Sequence, residues 1–273
     1  MHNRQQPSPK TSWVTLALLC VAVAFVLLFG QREALVDIYH SFQKEEPLPQ
    51  GVSYASFKNT STNQNSNANT PTSSNQQTNS ASTLPSEFLL DVPFTTQAPF
   101  SDWGEPYQEA CEEASVITVH YYYEGKTFTQ TLADQEILAF VDFENKMRGD
   151  YKDTTAQETA DLIKQYWKYN RVDVIDNPSL DDIKRHVSAG RPVIVPAAGK
   201  LLGNPNFRNG GPLYHNFVIK GYDETDFITN DVGTRKGNGY RYTFETVMNA
   251  MHDWNGGDVT HGAKRIIVVY PNS

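Results

Sequence analysis

The sequence predicts an α+β domain, with helices filling its first half and an antiparallel sheet its second. Helix signals cluster between residues 111 and 190, and short β-branched and aromatic runs cluster between 192 and 270. The two do not alternate as a doubly wound parallel sheet would require. Globular composition is confined to residues 86–273. The chain has 273 residues, 39% hydrophobic and 20% charged. That average hides an uncharged apolar run over 12–30 and a polar tract, Asn59–Thr83, in which 22 of 25 residues are Ser, Thr, Asn or Gln.

From the amino end, residues 1–11 read as a cytoplasmic tail. Residues 12–30 (SWVTLALLCVAVAFVLLFG) read as a transmembrane signal anchor. At 1.5 Å per residue the run spans roughly 28 Å, about one hydrocarbon core. Arg4 and Lys10 precede it, so the amino terminus stays inside and the rest of this single-pass cell-membrane protein is extracytoplasmic. The run is longer than a signal-peptide core, and Leu28-Phe29-Gly30 is a poor cleavage site. Residues 31–85 form a juxtamembrane segment and a linker. The stretch from 51 to 85 buries too little apolar surface to offset its chain entropy, which predicts a disordered tether.

Within 86–273, Phe88–Phe94 (FLLDVPF) reads as an edge strand ending at Pro93. Helices are predicted from Cys111 to about Glu124 and over Leu132–Met147. Thr155 and Glu158 have capping-box spacing and open a third helix, and Ser179 caps a fourth that stops at Gly190. Strands are predicted at Val172–Ile175, Pro192–Ala197, Asn216–Tyr222, Phe227–Asn230, Tyr240–Tyr242 and Lys264–Tyr270, with a short helix between 243 and 252. The segment 199–213 is a long Gly/Asn/Pro loop of the kind that serves as a lid, with Gly199, Gly203, Gly210 and Gly211 as hinges.

Charge and cysteine usage exclude several classes. The globular part carries 18 Lys/Arg against 27 Asp/Glu, which disfavours nucleic acid as a partner. Two cysteines, one of them inside the apolar run, exclude a disulfide scaffold. The sequence has no P-loop, no GxGxxG after a strand and no CxxC pair, so no nucleotide or cofactor is expected. His252, Asp253, Asp258 and His261 match no metal-ligand spacing.

What remains is nucleophile chemistry. Cys111 stands at a helix start, where unpaired N–H groups and the dipole favour thiolate. His215 opens a strand after the long loop. Asp231 ends the next strand, where a hairpin would set it beside His215 to orient the imidazole. Asn230 is the alternative orienter. Gln97 can donate to an oxyanion together with the Cys111 N–H, with Gln108 as the alternative donor. Glu112 and Glu113 would raise the thiol pKa if they faced the sulfur. Successive helix positions turn by about 100°, so both are expected to point elsewhere as dipole-matched helix-start residues. The alternative is that one binds a substrate cation or marks an altered activity. Trp103 and Tyr107 are candidate cleft liners.

The segments DVPFTTQAP, CEEASVITVHYY, AGRPVIVPAAG and YHNFVIKGYDETDFITND resemble the papain-like, bacteriocin-processing (double-glycine) cysteine peptidases. The likeness is greater to their stand-alone bacterial relatives, the cysteine peptidase family 39-like domains, over roughly residues 88–273. The resemblance implies a papain-like fold with the nucleophile at a helix start packed on an antiparallel sheet. It implies Cys111 as nucleophile, His215 as general base, Asp231 as orienter and Gln97 as oxyanion donor. The chain departs from that pattern where Glu112-Glu113-Ala114-Ser115 replaces Gly-Pro-Ala-Ser, and where Cys111 lies 14 positions after Gln97, a longer gap than usual. No transporter segments or ATP-binding motif follow. The expected function is a membrane-tethered extracytoplasmic cysteine peptidase with no cofactor or metal, acting on a peptide or protein, including cell-wall peptide. The alternatives are amidase or transpeptidase chemistry with the same residues, or an inactive binding or adhesion module. The enzymatic reading requires the Cys111 sulfur and the His215 ring to meet across a cleft open to solvent.

Overall fold

The computed structural model describes residues 48–58 and 84–272. The expected anchor over 12–30 and the polar tract over 59–83 lie outside the described residues. Among the described residues no helix is long and apolar enough to cross a membrane. The chain divides into Met1–Pro47 and Leu48–Ser273, and every described residue falls in the second unit.

Seven strands form one sheet: β1 (Phe88–Leu89), β2 (Arg171–Asp176), β3 (Val193–Ala198), β4 (Tyr214–Tyr222), β5 (Asp226–Asn230), β6 (Asn238–Thr243) and β7 (Arg265–Tyr270). Their order is β2-β7-β3-β4-β5-β6, with β1 also paired to β4. Every pairing is antiparallel, as the segregation of helices and strands predicts. All nine residues of β4 are buried, so both faces of this strand are covered. β1 is shorter than expected, because after Leu90 the chain leaves the sheet for the loop that carries Gln97.

The helices are α1 (Cys111–Glu124), α2 (Gln130–Arg148), α3 (Ala156–Trp167), α4 (Leu180–Ser188) and α5 (Phe244–Ala250). Their ends follow local chemistry. Thr155 with Glu158, and Ser179 with Asp182, form reciprocal capping boxes. Helix α1 stops at Gly125, which is left-handed at φ 63° and returns its N–H to Tyr121 and Tyr122. α1 lies against β4 and is buried almost all round, which is why its sequence shows no polar stripe.

Residues 51–58 are assigned to the tether by composition, yet they pack on the domain. Val52 pairs with the segment after β1: its N–H donates to Leu89 O (2.8 Å), and its carbonyl accepts from Asp91 N (3.0 Å). A helical turn over 54–58 then lays Tyr54 edge-on to Tyr123, with ring centroids 4.9 Å apart. Phe57 sits against Gly190 so closely that a Cβ there would meet its ring at 2.9 Å. Three apolar side chains and one backbone pairing thus outweigh a composition averaged over 35 residues. The pairing also covers an edge that β1 would otherwise expose.

α1 and α2 meet through an unexpected pair. Glu113 and Glu144 are both buried, and neither Glu113 oxygen meets an N–H or hydroxyl donor. Burial pushes both carboxyl groups up, Glu144 to about 8, and the charge of Glu144 adds to the rise of Glu113.

Two outcomes follow from this packing. A chain starting at residue 84 should be less stable than one starting at 48 by about 1–3 kcal/mol, a drop of several degrees in melting temperature by circular dichroism. The Glu113–Glu144 pair binds a proton in the folded state that the unfolded chain releases near pH 4.3. Stability should therefore fall as pH rises from about 5 to 8, and Glu144→Gln should flatten that slope in pH-dependent melting.

Candidate active site

The β4–β5 hairpin sets His215, second residue of β4, beside Asp231, the first residue after β5. His215 Nε2 lies 2.8 Å from Asp231 Oδ1, and both side chains are enclosed, 1% and 0% exposed. Burial raises the Asp231 carboxyl. His215, the Tyr242 hydroxyl and the Gly233 N–H reverse this and hold it below the usual carboxylate range. Asn204 adds a further bond, Nδ2 to Oδ2 at 3.2 Å. Glycine is required at 233, because a Cβ there would lie 2.8 Å from His215 Cε1 and 3.0 Å from the Phe207 ring.

Asn230, the alternative orienter, faces away. Its Nδ2 donates to the carbonyls of Val92 (3.2 Å) and Pro93 (2.8 Å), tying β5 to the segment that leads to Gln97.

Cys111 begins α1. Ala110 at the N-cap supplies no side-chain cap, so the first N–H groups of the helix are not taken by a capping side chain. The backbone N–H of Asn216, the residue after the histidine, acts on the Cys111 thiol in the direction of thiolate. Burial, reinforced by the adjacent Glu112 charge, nevertheless pushes the thiol well above its ordinary range.

Glu112 departs from expectation. It does not point away from the sulfur: the Cys111 thiol donates to Glu112 Oε2 at 2.9 Å, while Thr154 N–H donates to Oε1 at 3.2 Å. With the start of α1 buried under α2 and the loop before α3, the 100° rotation carries Glu113 toward Glu144 and leaves Glu112 against the thiol.

Gln97 is buried and reaches the 3₁₀ turn just before Cys111, Tyr107–Glu109. Its Nε2 donates to Tyr107 O (2.8 Å) and Gln108 O (3.1 Å), so both amide protons brace the turn, and Oε1 has no partner. To hold an oxyanion it would have to release one of these carbonyls. Gln108 is exposed and bonds Glu105 instead (2.7 Å). Tyr107 donates to Asp134 and lines, with Pro99, Phe100, Asp102 and Asp134, a cavity of about 180 Å³.

The open cleft expected between Cys111 and His215 is closed in this structure. Cys111 is 6% exposed and His215 1%. His215 is covered by the loop between β3 and β4, whose Phe207 ring stands edge-on to it with centroids 5.3 Å apart. Of the hinge candidates in that loop, Gly203, Gly210 and Gly211 have positive φ. Sequence reasoning missed Asn204, Phe207 and Tyr242 as partners of the histidine and aspartate, because no local pattern marks a residue that arrives from another element. Among the described residues no group of His, Cys, Asp and Glu could hold a metal ion. Asp253 instead pairs with Arg265 at 2.9 Å.

The profile of the Peptidase_C39 like family matches residues 89–256. A crystal structure described as a C39-like peptidase from Bacillus anthracis aligns at 16% sequence identity and a TM-score of 0.46, covering 68% of this chain and 98% of its own. No curated protein matches the sequence. The family match spans more than half of the chain and takes in Gln97, Cys111, His215 and Asp231: the chain belongs to the Peptidase_C39 like family.

Proposed function

We propose that the protein is a membrane-tethered, extracytoplasmic cysteine peptidase working through Cys111, His215 and Asp231. The observation that carries this reading is the His215 Nε2–Asp231 bond at 2.8 Å. It fixes one tautomer, with the proton on Nε2, and leaves Nδ1 as the nitrogen able to take the Cys111 proton. The sulfur beside Asn216, the residue after His215, supports the same pairing.

In this mechanism Nδ1 accepts the thiol proton and the thiolate attacks a peptide carbonyl. The Cys111 backbone N–H holds the developing oxyanion, joined by Gln97 Nε2 once it releases the more distant carbonyl, that of Gln108. The imidazolium then protonates the leaving amine. A water molecule, deprotonated by Nδ1, releases the acyl group. Substrate entry requires the β3–β4 loop to carry Phe207 off His215, which makes that loop the lid. The apolar run over 12–30 supplies the membrane tether and places the domain outside, and the substrate is a peptide or protein.

The enclosure of Cys111 and His215 is the observation that would favour a silent binding module instead. Activity separates the two readings. Purified protein incubated with a peptide library and with cell-wall fragments should cleave the former. Cys111→Ala should lose all cleavage with an unchanged circular-dichroism spectrum, and Asp231→Ala should lose about 10³–10⁴-fold in kcat/KM. Cleavage that survives Cys111→Ala would remove Cys111 as the nucleophile and with it the cysteine-peptidase mechanism, and cleavage of cell-wall fragments alone would redirect the reading to amidase or transpeptidase chemistry.

A further inference from the structure

Glu112 has no role in the mechanism above, yet it makes the shortest polar contact of the nucleophile. Its two oxygens are not equivalent. Oε1 accepts the Thr154 N–H at 3.2 Å, and Oε2 faces the Cys111 sulfur at 2.9 Å. A backbone N–H can only donate, and it occupies Oε1, so the oxygen that faces the sulfur, Oε2, is the one placed to carry a proton toward it.

We propose that Glu112 is a proton gate on the nucleophile: while charged, it holds Cys111 as a thiol, and once protonated it donates to the sulfur instead, so that acidification arms the site. This rests on Cys111 being the nucleophile of the preceding section. The proton count closes. One proton enters from water onto Glu112 Oε2, and the thiol proton passes from Sγ to His215 Nδ1, whose Nε2–H stays on Asp231. The product is a thiolate that accepts from the Glu112 O–H, paired with an imidazolium. No bond between heavy atoms forms or breaks.

The surroundings make uptake of that proton favourable. Glu113 lies beside Glu112 on α1, Glu144 faces it from α2, and Asp153 faces it from the loop before α3. Tyr214 on β4 also senses its charge. Two cations oppose this: Arg148 acts on Glu113 and Glu144, and Lys152 acts on Asp153. Burial acts in the same direction as the three carboxyl neighbours, so Glu112 holds a proton well above the ordinary carboxylate range.

Alkylation of the full-length protein with iodoacetamide, read at the Cys111 peptide by mass spectrometry across about pH 5.5–8.5, tests the gate. An ordinary thiol slows well over tenfold between about pH 8 and pH 6. Cys111 is expected to accelerate several-fold over that interval. Glu112→Gln keeps an acceptor for Thr154 and turns an amide N–H to the sulfur. It should label about tenfold faster than the parent at about pH 8 and lose the acid rise. A parent rate that climbs with pH like a free thiol, or labelling undetectable at every pH, overturns the gate whatever the variants do. So does a folded Glu112→Gln protein that labels at the parent rate at about pH 8. A chain that shows the acid rise but cleaves no peptide would sink the peptidase reading and leave the gate standing.

Discussion

The domain is organised around one buried anion. The Asp231 carboxylate has no exposure, and a charge so placed persists only when every lone pair has a donor. Its donors come from four places: His215 on β4, Tyr242 on β6, Asn204 in the β3–β4 loop, and Gly233 in its own turn. That demand ties together strand order, the glycine at 233 and the resting position of the loop. Asn204 and Phe207 sit on the same loop, so lifting Phe207 from His215 pulls on a donor to Asp231. A motion that lifted Phe207 off His215 would therefore also disturb a donor to Asp231, and the buried carboxylate favours the closed position of the loop.

Much of this was legible in the chain, and the line between what was and was not is physical. Thr155 with Glu158, Ser179 and Gly125 act within a few residues of themselves, and their helices begin and end where the sequence places them. The alternating strands of the second half and their antiparallel pairing followed from the same local patterns. His215 and Asp231 were readable together because a hairpin converts a short sequence separation into contact. Asn204 and Tyr242 were not, since they reach Asp231 from a loop and a different strand, and nothing near either residue marks the destination. Residues 51–58 were misassigned for the opposite reason. A composition window centred on a polar tract dilutes Val52, Tyr54 and Phe57, whose packing partners lie on β1, α1 and the turn after α4.

Cys111 shows how far a sequence signal for reactivity reaches. The start of a helix contributes about 0.3–1 kcal/mol toward an anion, and up to ~2 in partly buried geometries. Full burial and a carboxylate at 2.9 Å oppose it, and the thiol ends above its ordinary range rather than below. The motif picks out Cys111 by position, but the protonation of its thiol depends on the next residue. The carboxyl of that residue would be harmless on the solvent side of α1. It is consequential because the helix is buried nearly all round, and a fully buried helix has no solvent side to offer it.

The same burial joins the site to the stability of the domain. Three carboxyl groups, Glu112, Glu113 and Glu144, are buried around the start of α1. Burial raises all three, and each proton taken up reduces repulsion there. Acidification thus relieves the packing of α1 on α2 and removes the charge that faces the sulfur, through neighbouring groups on one helix. Because these carboxyl groups act on one another, a substitution that neutralises Glu144 eases the packing and also lowers the proton affinity of Glu112. Fold stability and the protonation of the Cys111 thiol are thus linked through neighbouring side chains of one helix start.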